Sequence, residues 1–268
     1  MPRKLGAASH FLPIGAINLS LVGTRIELSQ MPLFSYDKAS IYFEEYGSGY
    51  PLLLLAPGGI RSKITTWRFV PFDPRKEFAA NFRIIAMDQR HCGQSRAPLD
   101  ASDGWEAYAA DQIALLDHLG IRRCHVMGAC VGCSFAFALM KADPQRVSAV
   151  VLQDPVGRTG YSDWLRSMLD YWETELAGQR PDIDRGAAHA MGDNLFASDF
   201  VFSVSRDFVR KCRVPMLILP GTDVYHHPAI AGEIAALAPG AEMLADWRTP
   251  TVLNGTVERV RQFLLRHQ

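Results

Sequence analysis

The sequence predicts an α/β fold in which a mostly parallel sheet is covered by helices on both faces. Short apolar runs alternate along the chain with longer amphipathic segments, a pattern typical of parallel strands joined by helices. Several of these runs are unbroken, as at 52–56, and this indicates strands buried on both sides. Because sites in such folds lie at the carboxyl ends of the strands, the residues that follow each run are the candidate site residues.

The composition favours one large domain and excludes several classes of partner. The 268 residues are 48% hydrophobic, and 28 Lys and Arg balance 28 Asp and Glu, so no net charge favours nucleic acid or an anionic membrane. No apolar stretch reaches the roughly 18 residues that cross a bilayer. Five cysteines without regular short spacing indicate reduced thiols and no metal site. We expect a cytoplasmic protein with a small-molecule substrate and no cofactor; a homodimer is left open.

The elements follow one another from residue 31 onward. Strands are predicted at 40–46, 52–56, 82–87, from 124, at 147–152, 216–219 and 242–245. A helix is predicted at 106–119, where Ile113, Leu116 and Leu119 share a face and Gly120 supplies a stop. Further helices are predicted at 134–142 and 256–265. The predicted domain covers 31–268, and residues 1–30 are predicted to be an N-terminal extension.

Residues 154–212 interrupt the alternation of strands and helices. This stretch has helical periodicity and is rich in aromatic residues, among them Trp164 and Trp172. We interpret it as a small helical cap, at about 157–210, inserted above the sheet. Most of its aromatic side chains are expected to pack the cap onto the core, and Trp164 is a candidate for substrate contact.

The strongest motif is the pentapeptide Gly128-Ala129-Cys130-Val131-Gly132 between a predicted strand and a predicted helix. A Gly-x-nucleophile-x-Gly sequence in that context makes a strained turn that exposes its central side chain. The glycines allow the turn and the close packing of the helix. The helix N-terminus stabilises a thiolate at Cys130. The alternative is that Cys130 is an inert, buried packing residue.

Two further motifs carry a family resemblance. Pro57-Gly58-Gly59 follows one buried strand, and Asp88-Gln89-Arg90-His91-Cys92-Gly93-Gln94-Ser95 follows the next. Together with the pentapeptide, their order resembles the α/β-hydrolase superfamily from about Leu33 to the C-terminus. The resemblance implies a mostly parallel eight-stranded sheet with helices on both faces. A Cys at the turn is similar to dienelactone hydrolase and to polyester synthases, in which a Cys-His-Asp set works.

The resemblance also implies the other parts of a site. Cys130 is the nucleophile by position, and the N–H of Val131 is one donor of an oxyanion hole. The second donor is an N–H of Gly59 or Ile60. Gly58 lets the same loop approach a substrate closely, although the glycine pair fits a simple turn equally well. Trp67, with Arg61 and Arg68 beside it, is a further candidate for substrate contact, including contact with an anionic substrate.

The sequence offers one candidate for the catalytic acid and two accounts of the base. Asp223 is the carboxylate that follows the strand at 216–219. The family places its His after the last strand, but residues 244–251 contain none. In one account His226 or His227 reaches Cys130 from the loop of Asp223. In the other, a His before Pro228 caps the next helix and no general base exists, because a His three or four residues from Asp223 is poorly placed to be oriented by it.

Three classes of function remain open at this point. The first is a cofactor-independent cysteine hydrolase of a small, largely apolar ester, thioester, lactone or activated ketone. The second is a lyase or acyltransferase on the same scaffold, for which the missing His is an adaptation. The third is a ligand-binding protein that retains the pocket without catalysis.

Overall fold

The computed structural model describes residues 32–158, 163–198 and 200–268. These residues contain eight strands: β1 Leu33–Tyr36, β2 Ala39–Tyr46, β3 Tyr50–Leu55, β4 Phe82–Met87, β5 Cys124–Ala129, β6 Val147–Gln153, β7 Met216–Leu219 and β8 Glu242–Met243. They also contain eight α-helices: α1 Pro74–Phe78, α2 Trp105–His118, α3 Val131–Ala142, α4 Asp163–Gln179, α5 Arg185–Phe196, α6 Arg206–Lys211, α7 Pro228–Leu237 and α8 Leu253–Leu265. The predicted extension at 1–30 lies outside the described residues.

The strands form one sheet in the order β1-β2-β4-β3-β5-β6-β7-β8. The pairs β1–β2 and β2–β4 are antiparallel, and the pairs from β4 across to β8 are parallel. The predicted fold class is therefore confirmed. The predicted strand at 242–245 is shorter than expected, and the largely exposed edge strand β1 was not predicted.

Helices cover both faces of the sheet because alternate strand residues point to opposite sides. In β3, Leu53 and Leu55 join a core with residues of α2 and α3, whereas Leu52 and Leu54 join a second core with residues of α1 and α8. All four leucines are fully buried. The carboxyl ends of the parallel strands thus meet at one edge of a rigid sheet.

The turn at Cys130 joins β5 directly to α3. Its φ of 55° and ψ of −122° are strained for a residue with a side chain, as expected for a turn that exposes its central residue. The N–H of Cys130 donates to the Gln153 carbonyl at 2.9 Å, which ties the turn to the end of β6. Helix α3 begins at Val131, three residues earlier than predicted, because Gly132 lets its first turn pack closely on the sheet.

The packing at Gly132 gives a prediction for stability. A Cβ at this position would lie 2.0 Å from the Leu55 carbonyl oxygen, which belongs to a central strand and has no room to move. Gly132→Ala should therefore lower the free energy of unfolding by about 3 kcal/mol or more, and the melting temperature by roughly 10 °C. Gly178→Ala in α4 is the matched control, since no atom lies within 4 Å of its added Cβ. Equal melting temperatures of the two variants would contradict this account.

Three helices, α4 to α6, lie between β6 and β7, where the cap was predicted. Helix α4 packs on the turn at Gly59–Arg61, and the Arg61 guanidinium forms an ion pair with Glu175 at 3.1 Å. These contacts bring α4 to the carboxyl end of β3, and the role of the three helices as a cap stays a prediction. In the described ranges, no helix combines the length and apolar character that a bilayer crossing requires.

Candidate active site

Cys130 opens onto a cavity of about 490 Å³ at the carboxyl edge of the sheet. The cavity combines apolar walls with a cluster of ionisable side chains. Its lining consists of Pro57, Phe69, Val70, Pro71, Ala129, Cys130, Asp154, Asp223, His226 and Arg248. The thiol is partly exposed, so the alternative of an inert, buried residue does not fit its surroundings.

The other four cysteines differ from Cys130 in being buried. Burial raises the pKa of the Cys124 thiol to about 12 and raises those of Cys92, Cys133 and Cys212 as well. A thiol that stays protonated is a poor nucleophile. Position and exposure therefore single out Cys130 as the candidate reactive thiol.

Asp223 and His226 lie together on the loop after β7. One carboxylate oxygen of Asp223 accepts the backbone N–H groups of Tyr225 and His226, each at 2.8 Å. This tight turn brings the imidazole back over the carboxylate, so that His226 Nδ1 lies 2.9 and 3.0 Å from the two Asp223 oxygens. The expectation that three residues of separation would prevent orientation is therefore wrong, because it did not allow for the turn.

The His226 ring also interacts with Cys130. Burial alone would lower the pKa of His226, but the hydrogen-bonding and charge interactions with Cys130 and Asp223 outweigh it and raise this pKa to about 9. Nδ1 is bound by the Asp223 carboxylate, and Nε2 is buried and makes no hydrogen bond to another group of the described structure. Nε2 is therefore the ring nitrogen left available to the Cys130 sulfur, which lines the same cavity. A positively charged imidazole beside the sulfur stabilises a thiolate.

His227 has a different role. Its Nδ1 accepts the N–H of Ala229 at 3.2 Å, so it is the N-cap of α7, with Pro228 in the first turn. It is absent from the cavity lining. The two accounts of the histidine pair thus each describe one residue: His226 lines the cavity of Cys130, and His227 caps a helix. The prediction of His227 as a catalytic base is corrected accordingly.

The oxyanion hole stays a prediction, since Val131, Gly59 and Ile60 flank the cavity residues in the chain but are not themselves among its described lining. Val131 is the first residue of α3, so its N–H has no partner within the helix. Gly59 and Ile60 belong to the short turn Gly59–Arg61, on which α3 packs. Gly58 has a φ of 125°, which requires glycine, and it is not among the residues lining the cavity. The structure therefore supports a turn-forming role for Gly58 rather than the predicted substrate contact.

The structure tests one of the two tryptophans that were predicted to contact substrate. Trp67 is fully buried in the core beneath the sheet and has no surface to offer a ligand, so that prediction is corrected. The prediction failed because a position between two predicted strands suggested that the Trp67 side chain would be exposed. Trp164 lies in α4, but its side chain is outside the described part of the structure.

Two charged residues of the cavity were not predicted from the sequence. Asp154 follows the last residue of β6, and its carboxylate forms an ion pair with Arg248 from the loop after β8. Burial raises the pKa of Asp154, although the Arg248 charge opposes this. The rule that sites follow the carboxyl ends of strands could have found Asp154. Arg248 lies in the segment in which the family resemblance led us to expect a histidine.

The donor set of the cavity is suited to nucleophilic chemistry. Across the described ranges, no group of three or more His, Cys, Asp or Glu side chains is arranged to hold a metal ion. The lining also contains a thiol, an imidazole and a carboxylate, which are the groups that nucleophilic catalysis uses.

Comparison with known proteins is consistent with this fold. A family model described as alpha/beta hydrolase fold matches residues 51–209. The chain belongs to the α/β-hydrolase fold family. A hydrolase from Pseudomonas aeruginosa PA01 has a similar solved structure, with a TM-score of 0.67 at 19% identity over 89% of this chain and 99% of that one. At this identity the likeness shows the fold alone.

Two curated α/β-hydrolase relatives are similar in sequence. A putative carbamate hydrolase, RutD, from Azorhizobium caulinodans is 26% identical over 83% of this chain and 78% of that protein. A 2-hydroxymuconate semialdehyde hydrolase from Pseudomonas sp. strain CF600 is 30% identical, but the match covers 41% of this chain and only 38% of that protein. Both relatives are described as hydrolases.

Proposed function

We propose that this α/β-hydrolase family member is a cofactor-independent hydrolase that uses Cys130 as its nucleophile. The observation that carries the proposal is the position of His226, whose ring is held by Asp223 and lines the same cavity as Cys130. The hydrolase descriptions of the relatives support the reaction class. The substrate class is a small ester, thioester, lactone or activated ketone, since the cavity has about 490 Å³ and partly apolar walls.

The first half of the reaction forms a thioester. The Cys130 thiolate attacks the acyl carbon, and the N–H of Val131, with that of Gly59 or Ile60, stabilises the resulting oxyanion. When the tetrahedral intermediate collapses, the bond to the leaving group breaks and His226 Nε2 gives its proton to that group. Asp223 holds the imidazole through Nδ1 and balances its positive charge.

The second half of the reaction releases the acid. Neutral His226 takes a proton from water, which attacks the thioester carbon. The carbon–sulfur bond then breaks, and Cys130 leaves as a thiolate beside the imidazolium. The alternatives of a lyase, an acyltransferase or a receptor were argued from a missing histidine. With His226 as the base for this step, that argument no longer applies. Hydrolysis is the reaction that the arrangement supports best.

The proposal is tested by trapping the thioester. The protein is mixed with p-nitrophenyl butyrate, quenched in acid after a short time and digested for mass spectrometry. We expect a burst of p-nitrophenolate close to one equivalent per chain and a butyryl group on the peptide that contains Cys130. Turnover with no adduct on Cys130 at any time, or an adduct on another residue, would refute the nucleophile.

A further inference from the structure

A second charged pair lies in the same cavity as Cys130. Asp154 and Arg248 are 94 residues apart in the chain and meet at the carboxyl ends of β6 and β8. The Asp154 side chain is only 12% exposed, and its backbone φ of 50° is unusual for a residue other than glycine. The proposed hydrolysis makes no use of either side chain.

Arg248 is fixed on several sides. Besides the ion pair with Asp154, its Nη1 donates to Thr222 Oγ1 at 3.3 Å, and its guanidinium lies 4.7 Å from the centroid of the Trp247 ring. Its Nε is shielded from solvent. A ligand entering the cavity would therefore have to compete with existing partners for this cation. The cost of such competition is high, because separating the pair would leave the shielded Asp154 carboxylate without its counter-charge.

The charges of the cavity lining can be summed from the described residues. The Asp154 carboxylate and the Arg248 guanidinium cancel, and the His226 imidazolium is paired with the Asp223 carboxylate. Of the cations outside the lining, Arg61 pairs with Glu175, and Arg68 lies over the exposed Phe69 ring. The described lining thus offers no uncommitted positive charge to an anionic substrate.

We propose that Asp154 is a specificity-determining residue, which takes up the charge of Arg248 and so makes the cavity select uncharged acyl compounds over those that carry a carboxylate. Without Asp154, the guanidinium would be available at the cavity wall and would attract an anion. This inference rests on the proposed function for the acyl chemistry. The electrostatic part concerns only the surroundings of the Cys130 thiolate, and it can be measured without any turnover.

The test uses two alkylating agents that differ in charge. Iodoacetamide is neutral and iodoacetate is anionic, and the ratio of their rate constants at Cys130 reports the local charge. For one unit charge in a partly solvated cavity, we expect Asp154→Asn to raise the iodoacetate/iodoacetamide ratio about fivefold. Arg248→Met should lower it about fivefold. The double variant keeps the net charge and should stay within about twofold of the parent protein.

Opposite shifts from the two single variants cannot come from a general loosening of the site. A ratio that does not respond to Asp154→Asn, or shifts in the same direction for both variants, would overturn the inference. If Arg248→Met fails to fold with an unpaired Asp154, the Asp154→Asn and double variants still decide it. Thermal unfolding checks that each variant is folded.

Ester hydrolysis separates this inference from the proposed function. A p-nitrophenyl butyrate and a mono-p-nitrophenyl ester of succinic acid are compared as neutral and anionic substrates. We expect kcat/KM to favour the neutral ester about tenfold or more, and Asp154→Asn to reduce that preference about fivefold. If neither ester is hydrolysed while the alkylation ratios shift as described, the proposed function fails and the charge assignment stands. If both esters are hydrolysed equally by the parent protein, the specificity inference fails alone.

Discussion

Replacing Cys130 with alanine should reduce ester hydrolysis by roughly 10³-fold or more, because loss of the nucleophile removes the covalent route entirely. The fold should be retained, since the thiol faces the cavity and contributes little to the core. The measurement is kcat for p-nitrophenyl butyrate together with thermal unfolding. Serine at this position should restore only part of the rate, because a hydroxyl needs much more help from the base than a thiol does.

Cys212→Ala is the matched control for this experiment. Cys212 is also a thiol, but it is buried and lies away from the lining of the catalytic cavity. Its replacement should leave kcat unchanged within about twofold, at some cost in stability from the lost packing. If hydrolysis survives in Cys130→Ala, the nucleophile has been assigned to the wrong residue.

The two adjacent histidines should respond in opposite ways to substitution by glutamine. His226→Gln should lower kcat/KM by roughly 10²- to 10⁴-fold, because both proton transfers depend on this ring. His227→Gln should leave kcat/KM nearly unchanged and lower the free energy of unfolding by about 1 kcal/mol, the usual contribution of a helix cap. Steady-state kinetics and chemical denaturation of the two variants provide the comparison.

The pH profile adds a second readout for His226. Its pKa is raised to about 9, so the ring is protonated at neutral pH and loses its proton as the pH rises through that value. Acylation needs this proton for the leaving group, and kcat/KM should therefore fall on the alkaline side with a midpoint near pH 9. The alkaline limb should disappear in His226→Gln and persist in His227→Gln. Equal losses in both variants, or an unchanged limb in His226→Gln, would rule out this assignment.

The sheet was predictable because parallel strands buried on both faces leave unbroken apolar runs in the sequence. Leu52 to Leu55 are an example, and all four are fully buried. The edge strand β1 leaves no such signal, since three of its four residues are exposed. The start of α3 was placed too late because Gly132, a poor helix former, hides the first turn. Hydrophobic pattern alone therefore misses a strand that is largely exposed and the first turn of a helix that contains glycine.

The site was predictable to a smaller extent. Cys130 follows from a local motif, in which the strand, the turn and the helix are adjacent in the chain. The choice between His226 and His227 depends on the hydrogen bonds of the Asp223 carboxylate to two backbone N–H groups, which no spacing rule supplies. The pairing of Asp154 with Arg248 joins two strand ends far apart in the sequence. Trp67 shows the converse error, since a loop residue proved to be part of the core.

Asp223 and His226 are carried by a single short loop, three residues apart. If that loop shifts, the imidazole and its carboxylate move as one body, and their mutual alignment survives the displacement. Only the gap to the sulfur is then left to vary. A movement of this loop would therefore change the distance between His226 and the Cys130 sulfur while leaving the Asp223–His226 pair intact.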